Sequence, residues 1–209
     1  MRKLLLSFTL TVQFGFGATV YWTDWVSASP DEVSGSITAG RRTVDVTYSG
    51  GLNFALTSDG SDYWDFPETY TSPEVSNAPP SDLISLTGGT ANTVTFSTPV
   101  INPLLAIVSL NGPGFTFAGT PSLEVLSSGC GAYGCGTLQV SGNMLSTVGG
   151  GEGHGLVRLN GTFTSITFAG GNEYWRGIQV GITDAAIPEP ATWMSIAGGL
   201  MLLAFRRRN

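Results

Sequence analysis

The sequence predicts an all-β chain folded as an antiparallel β-sandwich or jelly roll. Three observations carry that prediction. Short runs of alternating apolar and polar residues recur along the chain, and turn residues such as Asn-Gly and Gly-Gly separate them at fairly even spacing. The composition is rich in Gly, Ser, Thr and Val and poor in Lys and Glu. The chain has 209 residues and is 42% hydrophobic, enough for one domain with a core.

The elements follow in order. TVYWTDWV (19–26) reads as one strand, with Val20, Trp22 and Asp24 on one face and Tyr21, Thr23 and Trp25 on the other. SGSITAG and RRTVDVTYSG come next. In the second, Val44, Val46 and Tyr48 alternate with Thr43, Asp45 and Thr47, the mark of a half-buried strand. After LNFALTSDG the pattern breaks. Residues 59–80 carry Pro67, Pro73, Pro79 and Pro80 among acids and aromatics, and read as a long loop or edge excursion. Strand signals resume with DLISLTG and NTVTFSTPV. PLLAIVSL (103–110) is apolar almost throughout, which predicts a central strand covered on both faces. GFTFAG, SLEVLSS, TLQVSGN and MLSTVGG follow. LVRLNGTFTSITF (156–168) predicts a hairpin closed by Asn160-Gly161 as a type I′ turn. EYWRGIQVGI (173–182) is the last strand signal, and the body shows no helix and no internal repeat.

Charge narrows the partners. The net charge is −6, but most basic residues lie at the two ends: Arg2, Lys3, Arg206, Arg207 and Arg208. Between Ala18 and Ile187 only Arg41, Arg42, Arg158 and Arg176 remain, against every acidic residue except Glu189. A phosphate backbone would be repelled by such a body, so nucleic acid is excluded as a partner.

The N-terminus predicts an export signal at residues 1–17. Arg2 and Lys3 precede an apolar run from Leu4 to Phe16, and Gly15 and Gly17 are small enough for cleavage before Ala18. The run is too short and too often interrupted by Ser, Thr and Gln for a membrane span. An exported body permits disulfides. Cys130 and Cys135, in the Gly-rich GCGAYGCG, are expected to pair locally, because a structural zinc site would need more ligands than they and His154 supply.

Two stretches of the body invite a site. Asp59, Asp62, Asp65 and Glu68 place four carboxylates in one loop with Tyr63, Trp64 and Phe66 between them. Hard cations take such oxygen ligands, which makes these residues calcium candidates, although the spacing is not that of an EF-hand. The same aromatics beside carboxylates suit a sugar. The bland reading is a solvated acidic loop whose rings tuck onto the sandwich. In GGGEGHGLV, Glu152 and His154 could exchange protons, but the glycines read as a mobile turn leading into the next strand. Arg176 could stack on a ring and pair with an acid at a partner surface, or cap the end of a core strand. No G-x-S-x-G, H-E-x-x-H or P-loop is present, so no enzyme, no catalytic residue and no cofactor is expected, with calcium as the one metal in view.

The C-terminus has its own chemistry. Pro188, Glu189 and Pro190 precede an apolar run from Ala191 to Phe205, and Arg206, Arg207 and Arg208 close it. As a helix over 191–205 the run would measure about 22 Å at 1.5 Å per residue, short against a hydrocarbon core of about 30 Å. Trp193 suits the outer interface, and the arginines form a cytoplasmic stop. The prolines lack N–H donors and hold the handle extended, and Glu189 resists entering lipid. These three parts, in this order, resemble the PEP-CTERM protein-sorting signal of Gram-negative bacteria. That resemblance covers about residues 187–209. It implies that Pro188, Glu189 and Pro190 are recognised by exosortase, a membrane cysteine protease-transpeptidase, and it links the chain to extracellular polysaccharide and biofilm.

The expected protein thus has a signal peptide (1–17), an exported acidic sandwich (18–186) and a sorting tail (187–209). It is held in the inner membrane with the body on the periplasmic side, and then moves to the cell surface. A structural or adhesive part in the extracellular matrix, with polysaccharide as a partner, is the leading expectation. A calcium- or carbohydrate-binding module using the Asp59–Glu68 loop is the alternative.

Overall fold

Every ladder between strands is antiparallel. The computed structural model describes residues 17–183, apart from Asp59, Pro113, Thr120 and Asn172. Residues 1–16 of the expected signal peptide (1–17), and the tail with the expected sorting motif, its apolar run 191–205 and Arg206–Arg208, lie outside the described residues. Among the described residues no helix is long and apolar enough to cross a membrane.

The first five strands are β1 (Val20–Trp22), β2 (Asp24–Ala28), β3 (Glu32–Ala39), β4 (Arg42–Ser49) and β5 (Leu52–Leu56). After a long connection come β6 (Leu83–Leu86), β7 (Ala91–Ile101), β8 (Leu104–Leu110), β9 (Phe115–Phe117) and β10 (Ser122–Gly129). The last are β11 (Thr137–Ser141), β12 (Met144–Val148), β13 (Gly153–Asn160), β14 (Thr162–Gly170) and β15 (Arg176–Thr183). They form two sheets. Sheet I runs β10-β13-β8-β15-β6-β5, with β1 also on β15, and sheet II runs β11-β12-β9-β14-β7-β4-β3-β2.

The two sheets bury their facing sides together. Val33, Ile37, Val44, Val46, Tyr48, Val94 and Phe168 of sheet II meet Ile84, Leu105, Ile107, Val157, Ile178 and Val180 of sheet I. The other side of sheet II is polar. Ser34, Thr47, Thr95 and Ser165 lie in register across four strands, and the Thr93 and Thr167 hydroxyls meet at 3.0 Å. The Ser/Thr-rich composition is therefore the outward half of a period-two pattern.

Sheet I differs, because its outer face is apolar as well. All seven residues of β8 are buried: Leu105, Ile107 and Leu110 toward sheet II, and Leu104, Ala106 and Val108 away from it. This matches the doubly covered strand expected from PLLAIVSL. The cover is the proline-rich segment. Leu56 pairs with Leu83, so β5 and β6 are a hairpin with residues 57–82 inserted at its tip. That insertion folds back over the outer face and packs Trp64, Tyr70 and Val75 on Val20, Trp22, Leu83, Leu104 and Leu156. Trp64 meets Tyr70 edge-on at 4.9 Å.

Two expectations about strand pairing are corrected. TVYWTDWV is not one strand. β1 lies in sheet I and β2 in sheet II, and the chain changes sheets at Thr23, whose amide and hydroxyl both donate to the Val180 carbonyl at 2.9 and 2.8 Å. Strands that turn a sandwich corner in this way let Trp22 cover the outer face while Trp25 fills the core. Nor do residues 156–168 form a hairpin. β13 pairs with β8 and β10, whereas β14 pairs with β7 and β9. Asn160-Gly161 is an arch from one sheet to the other. It stacks on the β7–β8 arch at Asn102, whose side-chain carbonyl accepts the Gly161 amide at 2.8 Å while the Gly161 carbonyl accepts the Asn102 amide at 2.8 Å. Asn-Gly marks a reversal of direction; it does not say in which sheet the next strand pairs.

A buried polar knot fixes the corner. Gln179 takes the Trp25 indole N–H at 2.8 Å and donates to the carbonyls of Thr23 at 2.9 Å and Asp82 at 3.3 Å. Asp82 accepts the Trp25 amide on its carboxylate at 2.9 Å and the Trp64 indole on its carbonyl at 3.2 Å. Replacing Gln179 with Ala strands the Trp25 indole N–H at a fully buried position. A loss of about 3 kcal/mol is expected, at about 1–3 kcal/mol per abandoned buried group. Urea unfolding measures it; a loss below about 1 kcal/mol would show that the knot is not structural.

Candidate functional site

The site lies where four loops meet at one end of sheet I. Two of them are glycine-rich for a physical reason. Gly134 bridges to Gly151, Gly136 bridges to Gly153, and the Gly136 amide donates to the Glu152 carbonyl at 2.9 Å. The backbones are so close that a Cβ on Gly134 would stand 2.7 Å from the Glu152 nitrogen, and one on Gly131 would overlap the His154 ring. The Cys130–Cys135 disulfide closes the first loop and presents Tyr133, 46% exposed. Thr69 of the covering segment holds that loop through its hydroxyl on the Cys130 carbonyl at 2.7 Å.

Ser109 shows how the strand is re-aimed. It takes φ 64°, in the left-handed region, opposite a register irregularity between Gly153 and Gly155. Strict alternation would aim residue 109 toward sheet II. Instead Leu110 enters the inter-sheet core, and the Ser109 hydroxyl donates to a Glu152 carboxylate oxygen. Such a conformation costs a non-glycine residue about 1–3 kcal/mol.

The polar groups form a connected set. The Asn111 side chain donates to the other Glu152 oxygen at 3.2 Å, and its amide reaches Glu173 Oε2 at 3.5 Å. Glu173 Oε2 also takes Arg176 Nη1 at 3.2 Å. Arg176 is fully buried over the Phe115 ring, 4.9 Å from its centroid, and donates to the Gly171 carbonyl at 3.1 Å. The ring contact and ion pair considered for Arg176 are thus internal and not at a partner surface. Burial pushes the Glu173 carboxyl up, with the Arg176 guanidinium opposing. Glu173 Oε1 is buried and has no hydrogen-bond partner among the described residues.

The turn reading is corrected for His154, while Glu152 stays in the loop before β13. His154 lies in β13 opposite Gly129, fully buried. Its Nδ1 accepts the Ser109 amide at 3.3 Å, which leaves the proton on Nε2. Burial holds the imidazole below its usual pKa, with Glu152 opposing. The Ser109 hydroxyl is on a carboxylate and not on the imidazole, so the three side chains do not form a serine–histidine relay.

Aromatic rings wall the opening. Trp175 lies 5.1 Å from Tyr133 and 5.2 Å from Tyr63, and Tyr174 is 92% exposed. Tyr133, Tyr174 and Trp175 line, with Ser109, Asn111, Glu152 and Glu173, a cleft of about 230 Å³, and Tyr63 backs Trp175 from outside that lining. The acidic loop contributes Tyr63 rather than carboxylates. Asp62, Asp65 and Glu68 are exposed, Asp62 accepts the Trp64 amide at 2.8 Å, and Asp59 lies outside the described residues. Among the described residues no three His, Cys, Asp or Glu side chains converge as a metal site. Sequence reasoning singled out Glu152, His154 and Arg176 separately but missed Ser109, Asn111 and Tyr133. One signal was available: after Glu124 the described body holds only two acids, Glu152 and Glu173, each in a glycine-containing loop.

The family model described as the PEP-CTERM protein-sorting motif matches residues 186–208. The chain therefore carries that motif at its C-terminus, which implies export, sorting to the cell envelope or surface, and processing by exosortase, a membrane enzyme. No curated protein matches the chain.

The buried imidazole has a pH consequence. His154 is held neutral when folded but takes a proton near pH 6.5 when unfolded, so stability is full above about 6.5 and falls as pH drops below it. In His154→Gln this part of the slope should vanish. Thermal midpoints taken from about pH 7.5 down to about pH 5 read it, and an unchanged slope in the variant would refute it.

Proposed function

We propose that the exported sandwich is an adhesive component of the extracellular matrix that holds polysaccharide in the aromatic–carboxylate cleft. The observation that carries this is the contact of Trp175 with both Tyr133 and Tyr63 beside the Ser109–Asn111–Glu152–Glu173 set. Sugars offer apolar C–H faces that stack on rings, and hydroxyls that need donors and acceptors, and this cleft presents both along one wall. The sorting motif supports the same reading, because it carries the body to the surface where polysaccharide lies. Binding without turnover accords with the Ser109 hydroxyl lying on Glu152 and away from His154.

The test is direct binding of the exported body to a panel of polysaccharides. Trp175→Ala and Tyr133→Ala should each weaken binding about tenfold, or about 1.4 kcal/mol, with the circular dichroism unchanged. A panel on which the wild type binds nothing would overturn the reading.

The tail has a separate test. Deleting residues 187–209 should leave the body soluble after cell fractionation, while the full chain stays with the membrane until processed. Identical fractionation of the two forms would refute membrane retention by the tail.

A further inference from the structure

We infer that the polysaccharide held here carries free amino groups and runs as a chain across Tyr174. This rests on the polysaccharide reading above and narrows it to a substrate class.

Charge carries the first part. None of the residues lining the cleft is cationic, and two of them are carboxylates. Glu152 is met by neutral donors, the Ser109 hydroxyl and the Asn111 amide, which leave its charge uncompensated. Arg158 is committed elsewhere, to Glu74 at 2.5 Å and Glu124 at 2.7 Å.

Glu173 adds an independent observation. It lines the cleft with a side chain only 4% exposed, its Oε2 is shared by Arg176 and Asn111, and its Oε1 is buried without a partner among the described residues. A buried carboxylate oxygen left without a donor is costly, and a ligand that brings one removes the penalty. An ammonium brings three donors and a positive charge. The Trp175 and Tyr133 ring faces attract the same group. A uronate or sulfated chain would instead set its anions against both carboxylates.

Shape carries the second part. A second cleft of about 420 Å³, bounded by Asn53, Thr87 and Gly88, shares Glu173 and Tyr174 with the first. Tyr174 thus stands as a ridge with Glu173 at its foot. Sugar units on both sides of that ridge make the ligand an oligomer and not a single sugar.

Calorimetric titration with three soluble oligomers, and glucosamine monomer beside them, tests this: an oligomer of glucosamine, its fully N-acetylated counterpart and an oligouronate, all at about pH 6, where an ordinary Glu carboxyl is ionised. The glucosamine oligomer should bind at least about tenfold tighter than the other two, and added salt should erode that margin. Glu152→Gln should remove most of the preference, whereas Trp175→Ala should weaken every probe that binds. A salt-independent preference, or equal binding of the amine and N-acetyl forms, overturns the charge inference and leaves the polysaccharide reading standing. Glucosamine monomer binding as tightly as its oligomer overturns the chain inference. Failure of all three probes, together with a blank polysaccharide panel, overturns both readings.

Discussion

Sheet I is apolar on both faces, and most of the architecture answers that constraint. Leu104, Ala106, Val108 and Leu156 point away from sheet II and would lie in water if nothing covered them. Burying a side chain of this size is worth about 1.5–3 kcal/mol, so an uncovered face would forfeit a large part of a marginal stability. The insertion at the β5–β6 tip supplies the cover. It is tied down by local polar contacts: Asn77 exchanges hydrogen bonds with both backbone groups of Val20, and Ala18 bridges to Val75. The Gln179 knot ties the same cover to the sheet-crossing corner through Asp82 and Trp64.

The cleft is a by-product of that cover. Tyr63 reaches Trp175 only because Trp64 is drawn into the outer core, and Thr69 holds the disulfide loop that carries Tyr133. The electrostatics of the cleft depend on burial too. Arg176 and Glu173 form an ion pair out of water, where desolvation works against both charges. An apolar pair would fill the same space with less penalty. A charged pair stands here instead, at a residue that lines the cleft, with one carboxylate oxygen buried and without a partner among the described residues.

Address and body divide the work. The sorting motif occupies residues 186–208 and shares no residue with the cleft. The last described strand, β15, starts at Arg176, next in sequence to Trp175 of the cleft, and ends at Thr183, where Val20 of β1 pairs with it. One strand therefore leads away from the site along the chain, and its Gln179 anchors the sheet-crossing corner.

The sequence by itself determined what depends on local pattern. Period-two alternation marked the half-buried strands of sheet II, the continuous run at 103–110 marked a strand buried on both sides, and the Pro-Glu-Pro tail marked the address. Which strands pair was decided only by the tertiary structure. TVYWTDWV alternates without a break, yet it divides between two sheets at Thr23, and Asn160-Gly161 joins sheets instead of closing a hairpin. Alternation says which side chains need burial, and several pairings bury them equally well, so long-range packing makes the choice. The site is the same case. Ser109 comes from the end of β8, and Asn111, Tyr133, Glu152 and Glu173 come from four separate loops. Their meeting depends on a strand re-phased at Ser109 and on two glycine backbones in contact, neither of which leaves a mark in any one stretch of sequence.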